Sequence, residues 1–410
     1  MKTNFVVMIV LTTTFAAADV FCAELSLPRY EITDLGTVGG KNSHPEAMND
    51  KGQVVGVSDY ITEFAHDHAF FWDKVKGMVD LGTFGGTESR AFAINNNGQV
   101  VGSAETTSGD RHAFLWDNVS GMIDLGTLGG SESWASAINN AGQVVGVSDT
   151  VGGEHNAFIW DSTSGMTDLG PVGRPGPRSP TIDDAGQVVG SMKDVNGTLL
   201  HVFLLDSGTG KRIDLGTLGD RIDDFVINDA GQVIIGWTRI SDDEWHSFFW
   251  DINCGMINLG TLGGSISRAY DINKYGQVVG WSYEKKQRER RAFIWDRVNG
   301  MVNLGTLSVF NGGALLDNNS MAFAINDSGQ VVGSCASKFP EYFGSERAWY
   351  WDKTNGMVKL ESLLVDKSGW RRLIGSGDIN NRGQIVGYGE TDKGERHAFL
   401  MTPVSEAPRK

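Results

Sequence analysis

Cysteine is scarce in this chain: Cys22, Cys254 and Cys335 are the only three in 410 residues. Long apolar runs are missing after the first twenty-odd residues, so no later segment reads as a bilayer-spanning helix. Positive charge is in deficit, with 35 Lys and Arg against 50 Asp and Glu and a formal net charge of −15. Affinity for nucleic acid comes from neutralising phosphates with Lys and Arg, and this balance argues against it. No stretch beyond the leader keeps a helical period for three turns. A Gly-Xaa-Ser-Xaa-Gly elbow, a phosphate loop and a His-Glu-x-x-His pair are all absent. The sequence therefore offers no catalytic constellation and calls for no cofactor.

What it has instead is repetition. A Gly-Gln step recurs with Gln at 53, 99, 143, 187, 232, 277, 330 and 384, at successive intervals of 46, 44, 44, 45, 45, 53 and 54 residues. A fixed period near 45 marks a repeat architecture. Within one copy four short runs stand out: Ala135–Ile138, Gln143–Val147, His112–Trp116 and Met122–Leu125. Each is rich in Val, Ile, Phe or Trp and is bounded by Gly, Asn or Asp, which is the composition of a strand. Asn139 to Gln143 supplies a hairpin turn, with an Asx corner at one end and a glycine able to take positive φ at the other. Four strands in sequence make one antiparallel sheet, and sheets repeated at this spacing are propeller blades.

The two ends of the chain fit the same frame. Residues 1–23 read as a secretory signal peptide: Lys2 opens it, an apolar stretch follows, and small residues at Ala16 to Ala18 and Ala23 offer cleavage after Ala18 or Ala23. Tyr30 to Gly36 matches a fourth strand with no first three ahead of it. The last copy supplies three strands ending at Met401. We therefore expect one domain over 24–402, an all-β, eight-bladed β-propeller of four-stranded antiparallel blades. Pairing of the N-terminal strand into the last blade closes it, and 403–410 form a tail. The expected product is secreted or periplasmic, monomeric, and without a membrane span.

Alternation places Phe114 and Trp116 on one face of their strand and Ala113 and Leu115 on the other. The tryptophans at 72, 116, 160, 250, 295 and 351 then belong to the walls between blades, with Leu205 and Met401 standing in their place in two copies. Alternating strand direction puts the Asn-x-x-Gly and Asp-x-x-x-Gly turns on one face and the variable loops on the other, where binding normally resides. Two neighbourhoods follow. Long insertions near the seventh and eighth copies collect Phe339, Tyr342, Phe343, Trp370, Arg371 and Arg372, which suit a protein or glycan contact or are neutral insertions. The inner strands bring Arg90, Trp134, Arg178, Asp223 and Arg268 to the mouth of a central channel, beside Trp237, Trp281 and Tyr388. His44, Met321 and Gly375 hold the same repeat position as the first group.

Other signals carry less. His68, His112, His201, His246 and His397 share one repeat position, one per copy, so they cannot converge on one ion, and no metal site is expected. Their place suits a hydrogen bond at a strand start. The Asp-rich turns lack the ligand pattern of calcium loops. Cys254 falls in a turn and Cys335 in a loop on the opposite face, so no disulfide is expected between them.

The repeated His-Ala-Phe-x-Trp-Asp, Gly-Met-x-Asp-Leu-Gly-Thr-Leu-Gly-Gly and Ala-Ile-Asn-x-x-Gly-Gln-Val-Val-Gly resemble the HAF-repeat family of bacterial extracellular proteins. The resemblance covers nearly all of 30–401 and departs at Leu205, Met401 and Asp220. It implies secretion and a propeller-like repeat, and no activity. The resulting expectation is a secreted binding or scaffold module for a glycan, a surface or a protein. The alternative is a propeller enzyme acting on polysaccharide at the channel mouth.

Overall fold

The computed structural model describes residues 27–61, 65–172, 180–193, 200–217, 222–284, 289–307, 310–311, 314–315, 319–336 and 346–404. The architecture is all-β. Four-stranded antiparallel sheets follow one another along the chain over 43–80, 85–124, 129–171, 181–217, 222–258, 263–305 and 319–359. The fifth and sixth of these also touch through one parallel bridge, Trp245 to Ile266. A final sheet combines Trp370–Ile379, Ile385–Thr391 and Arg396–Pro403 with the N-terminal strand Tyr30–Gly36, which lies antiparallel to Arg396–Pro403 with Ile32 opposite Met401. This is the construction of a β-propeller.

One turn explains why each copy folds alike. Asn139 Oδ1 accepts from the backbone N–H groups of Ala141 (3.1 Å) and Gln143 (2.9 Å), and Gly142 takes φ +81° to close the loop. At the other hairpin of the copy, Asp117 Oδ1 accepts from Val119 and Ser120 N–H, both at 2.7 Å. Side-chain oxygens thus satisfy turn amides that no strand partner reaches.

The sheets pack face to face as alternation requires. Phe114 and Trp116 lie with Ala69 and Phe71 of the sheet before, while Ala113 and Leu115 lie with Ala135, Val144 and Phe158 of the sheet after. Full burial of each such side chain stabilises by about 1.5–3 kcal/mol, so the walls dominate the fold. A buried serine pins five of the junctions, through Ser43, Ser89, Ser133, Ser267 and Ser320: Ser133 Oγ, for one, accepts from Ala113 N–H (2.8 Å) and donates to Gly126 O (2.6 Å). The shared histidine position also has its bond. His112 Nδ1 meets Asp124 at 2.8 Å, and His397 Nδ1 meets Asp34 at 2.9 Å across the pairing of the two chain ends.

Bulges in the inner strands set up the channel. Register slips between Pro45 and Ala47, Ala91 and Ala93, Ala135 and Ala137, Ala269 and Asp271, and Ala322 and Ala324. At each slip the inner backbone presses on the next strand, and a Cβ at Gly102 would sit 1.9 Å from Arg90 O. The glycines at 56, 102, 146, 280 and 333 are there because the bulge leaves room for nothing larger.

Cys254 lies in the turn expected for it. Cys335, expected in a loop, is instead buried inside Val331–Ala336, because that strand continues past Ser334 to pair with Arg347. Both are free thiols. The leader 1–23, Arg178, Phe339, Tyr342, Phe343 and most of the tail lie outside the described residues.

Candidate functional site

The channel has two different ends. At the turn end, residues from every inner-strand hairpin border a cavity of about 710 Å³. Here Asn side chains bond from sheet to sheet. Asn49 Nδ2 donates to Asn95 O, Asn95 to Asn139 O and Asn139 to Asp183 O, at 2.9–3.1 Å. Asn228, Asn273 and Asn326 continue the pattern, and Asn380 donates to Asn49 O at 3.1 Å. A second relay runs beside it: Asp50 N–H donates to Asn96 Oδ1, Asn96 N–H to Asn140 Oδ1, and at the far side Asn381 N–H to Asp50 Oδ1. These polar groups are occupied with one another.

At the opposite end the groups face space. A cavity of about 510 Å³ is bordered by His44, Glu46, Asp224, Arg268, Tyr270, Met321, Phe323, Glu346, Gly375 and Tyr388. The bulges put them there. The extra residue of each slip, Glu46, Phe92, Ser136, Tyr270 and Phe323, turns inward and lines the middle of the channel. Asp224 borders the mouth cavity from a left-handed conformation at φ 59°.

Arg268 is the hub on one side. Its guanidinium pairs with Asp224 and lies over the rings of Tyr270 (5.2 Å) and Trp237 (5.5 Å). Trp281 donates its indole N–H to Tyr270 Oη at 3.2 Å and carries Arg290 over its face at 4.6 Å. Across the cavity the rings of His44 and Tyr388 are 4.5 Å apart. The protein crowded around His44 holds its pKa below the ordinary value, against the opposing pull of Glu46 and the Pro45 backbone. Burial raises the Tyr388 phenol, and Glu346 adds to it. The carboxylates of Glu46 and Glu346 make no hydrogen bond or ion pair with another described residue, although the Glu346 carbonyl accepts from Arg347 Nη1 at 2.8 Å. Aromatic faces, carboxylates and one clamped guanidinium together can grip a polar ligand with apolar faces.

The expected mouth residues separate into three groups. Arg268 and Tyr388 line the cavity, with Trp237 and Trp281 behind Arg268 and Tyr270. Arg90 borders the middle of the channel and pairs with Asp67 at 3.0 Å. Trp134 lies beside His155, its ring 6.1 Å away, and does not border the mouth cavity. Asp223 sits in Ile222–Ile227 opposite Trp237.

The insertion cluster needs correcting. Trp370, Arg371 and Arg372 are not in a loop but begin the strand Trp370–Ile379. Trp370 is only 9% exposed and stands edge-on to Phe399 with ring centroids 5.7 Å apart, so its ring packs in the core. Arg371 and Arg372 both pair with Glu390 of the adjacent strand. The short 3₁₀ turn Leu360–Leu363 buries Leu360 and Leu363 under this strand, which shortens the loop. Conversely, Glu46, Tyr270 and Phe323 went unnoticed in the sequence. Each lies two positions beyond an expected rim residue and is the extra residue of a bulge, which no alternation pattern marks.

Among the described residues no group of three or more His, Cys, Asp or Glu is arranged to hold a metal ion, and no helix is long and apolar enough to cross a membrane.

A family profile described as a protein of unknown function, DUF3466, matches residues 41–128, which span the first two sheets. No curated protein matches the chain. Among solved structures the chain is similar to an oligogalacturonate lyase in complex with manganese, at 13% identity and a TM-score of 0.50, covering 87% of this chain and 99% of that one. It is also similar to the β-propeller domain of the Trilobed protease from Pyrococcus furiosus, at 10% identity and a TM-score of 0.45, covering 93% and 100%. At such identities the likeness to the lyase concerns the fold alone.

Proposed function

We propose that the chain is a secreted, monomeric binding protein of the HAF-repeat type, an eight-bladed propeller that takes a glycan at the channel mouth opposite the Asn turns. Eight blades and closure are supported by the pairing of Tyr30–Gly36 with Arg396–Pro403 and by the Asn380 to Asn49 bond. The leader at 1–23, on which secretion rests, is outside the described residues.

The observation that carries the binding reading is the convergence of Tyr270, Phe323 and Tyr388 with Arg268, Glu46 and Glu346 on one 510 Å³ cavity. Sugar rings offer C–H faces to aromatic side chains and hydroxyls to carboxylates and guanidinium groups, and a few polar groups in an otherwise apolar pocket fix orientation. Titration calorimetry against a panel of neutral oligosaccharides tests it, with Arg268→Ala and Tyr388→Ala beside the wild type. Binding by the wild type that both variants weaken supports the reading. Binding unaffected by either moves the site elsewhere, and binding only to a protein partner replaces the glycan.

A second reading, an enzyme acting on polysaccharide at the same mouth, is favoured by one feature. The His44 ring lies 4.5 Å from that of Tyr388, and desolvation lowers its pKa, which favours the neutral imidazole a general base uses. Chain cleavage of a polysaccharide that His44→Ala abolishes, with binding retained, would establish it.

A further inference from the structure

The ring of turns has one odd member. In seven turns the corner residue is Asn, and its Nδ2 donates twice: to the Gln four residues on, as Asn139 to Gln143 Oε1 at 2.8 Å, and to the carbonyl of the next corner. The eighth corner is Asp183. Its Oδ1 behaves like an Asn oxygen and accepts from Gln187 N–H at 2.7 Å. Its Oδ2 occupies the place of Nδ2 and has no hydrogen-bond partner among the described residues, although Asp183 is only 3% exposed.

The relay makes this more than a local gap. Asn139 donates into the Asp183 carbonyl, and Asn228 donates onward to Asn273 O at 2.8 Å. Between them, by the geometry of the repeat, an acceptor oxygen stands where the other corners place a second donor to the next carbonyl, and Asn228 O is left with the Gly231 N–H at 2.9 Å. A buried unsatisfied oxygen is destabilising, and an ionised one facing a carbonyl more so. The charged groups around it make ionisation harder. Asp184 on its own turn and Asp229 on the following turn are both acidic, while the preceding turn presents the uncharged Asn139, Asn140 and Ala141.

We propose that Asp183 takes up a proton from solvent and, as a neutral acid, donates its O–H to Asn228 O, so that the junction between the fourth and fifth sheets tightens on acidification. Burial first, and the neighbouring carboxylates after it, raise the acidity constant of Asp183 in the folded chain. The sign follows. A carboxyl with a raised folded pKa contributes stability that is complete below its unfolded value, about 3.9, and is lost as pH climbs through the raised one. An asparagine at 183 would supply the donor at every pH.

The test is the thermal midpoint of the full chain between pH 4 and pH 8, for the wild type, Asp183→Asn and Asp184→Asn. Both variants are isosteric and each removes one negative charge, but only the first restores the donor. We expect Asp183→Asn to raise the midpoint by a few degrees at pH 8, with the gain shrinking toward pH 4, and Asp184→Asn to do less. Equal gains from the two variants would reduce the effect to charge relief and overturn the proposal, as would a gain independent of pH. A wild-type midpoint at pH 8 raised by calcium or potassium chloride, with Asp183→Asn indifferent to the salt, would assign the gap to a cation and overturn the proton.

Discussion

The two ends of the channel are made from the same inner strands and use them in opposite ways. At the turn end nearly every polar group is engaged by the next sheet, so the side chains act as fasteners. At the mouth, the Glu46 and Glu346 carboxylates are without a hydrogen-bond partner among the described residues, and His44, Tyr270 and Tyr388 border the cavity. The difference is one of position on a strand. The turn residues cannot change without breaking a bond to a neighbouring copy. The bulged residues line the channel, where few bonds to a neighbouring copy hold them to one residue type. A repeat can therefore be uniform where it locks and varied at its mouth, within ten residues of the same strand.

Several substitutions probe how sharp that division is. The largest effect is expected from Trp370→Ala, which empties a core site against Phe399 and should destabilise by about 3–5 kcal/mol. Denaturant unfolding measures it. A stable variant that had lost ligand binding would put Trp370 back among the recognition residues and blur the division. Next comes Asn139→Ala at the turn end. It removes the donor to Asp183 O and to Gln143 and two turn acceptances, and should destabilise by about 1–3 kcal/mol while leaving binding at the mouth intact. Arg268→Ala should do the converse. Its loss is expected to weaken a bound glycan about tenfold, roughly 1.4 kcal/mol, with a smaller change in unfolding midpoint.

The smallest effect concerns pH at the mouth. His44 has a lowered pKa in the folded chain, so the stability it contributes is present above the ordinary value near 6.5 and lost as pH falls below it. Between pH 7 and pH 5, His44→Gln should show a slightly flatter stability profile than the wild type. Identical profiles would mean that the cavity leaves the imidazole as free as solvent does.

Much of this was legible in the sequence, for a physical reason. Period and turn chemistry are local properties, so the Gly-Gln step, the Asn corners and the His-Ala-Phe-x-Trp runs announce strands and hairpins without any knowledge of packing. The strand Tyr30–Gly36 could be matched to its partner because the copy it completes was one strand short. The mouth was only half legible. Arg268 and Tyr388 stood out by repeat position, but Tyr270, Phe323 and Glu46 reach the channel through a bulge, and a one-residue slip leaves no mark in hydrophobic periodicity. Trp370 misled because length alone made 361–375 look like a loop, when buried leucines and a β-pairing with 385–391 had already claimed it. The bonds between turns were invisible for another reason. An Asn that caps its own turn looks the same in sequence whether or not its amide also reaches a neighbour some 45 residues away.

The measurement that bears most directly on the proposed ring is a cross-link between the chain ends. Glu31 and Thr402 are exposed cross-strand partners, and such neighbours lie within the distance a disulfide can bridge. In the double variant Glu31→Cys, Thr402→Cys, oxidation should give an intramolecular 31–402 disulfide in the folded monomer, seen by non-reducing peptide mapping, with a raised unfolding midpoint. Thiols at 31 and 402 that stay reduced in the folded protein, or that bridge only between molecules, would contradict the ring.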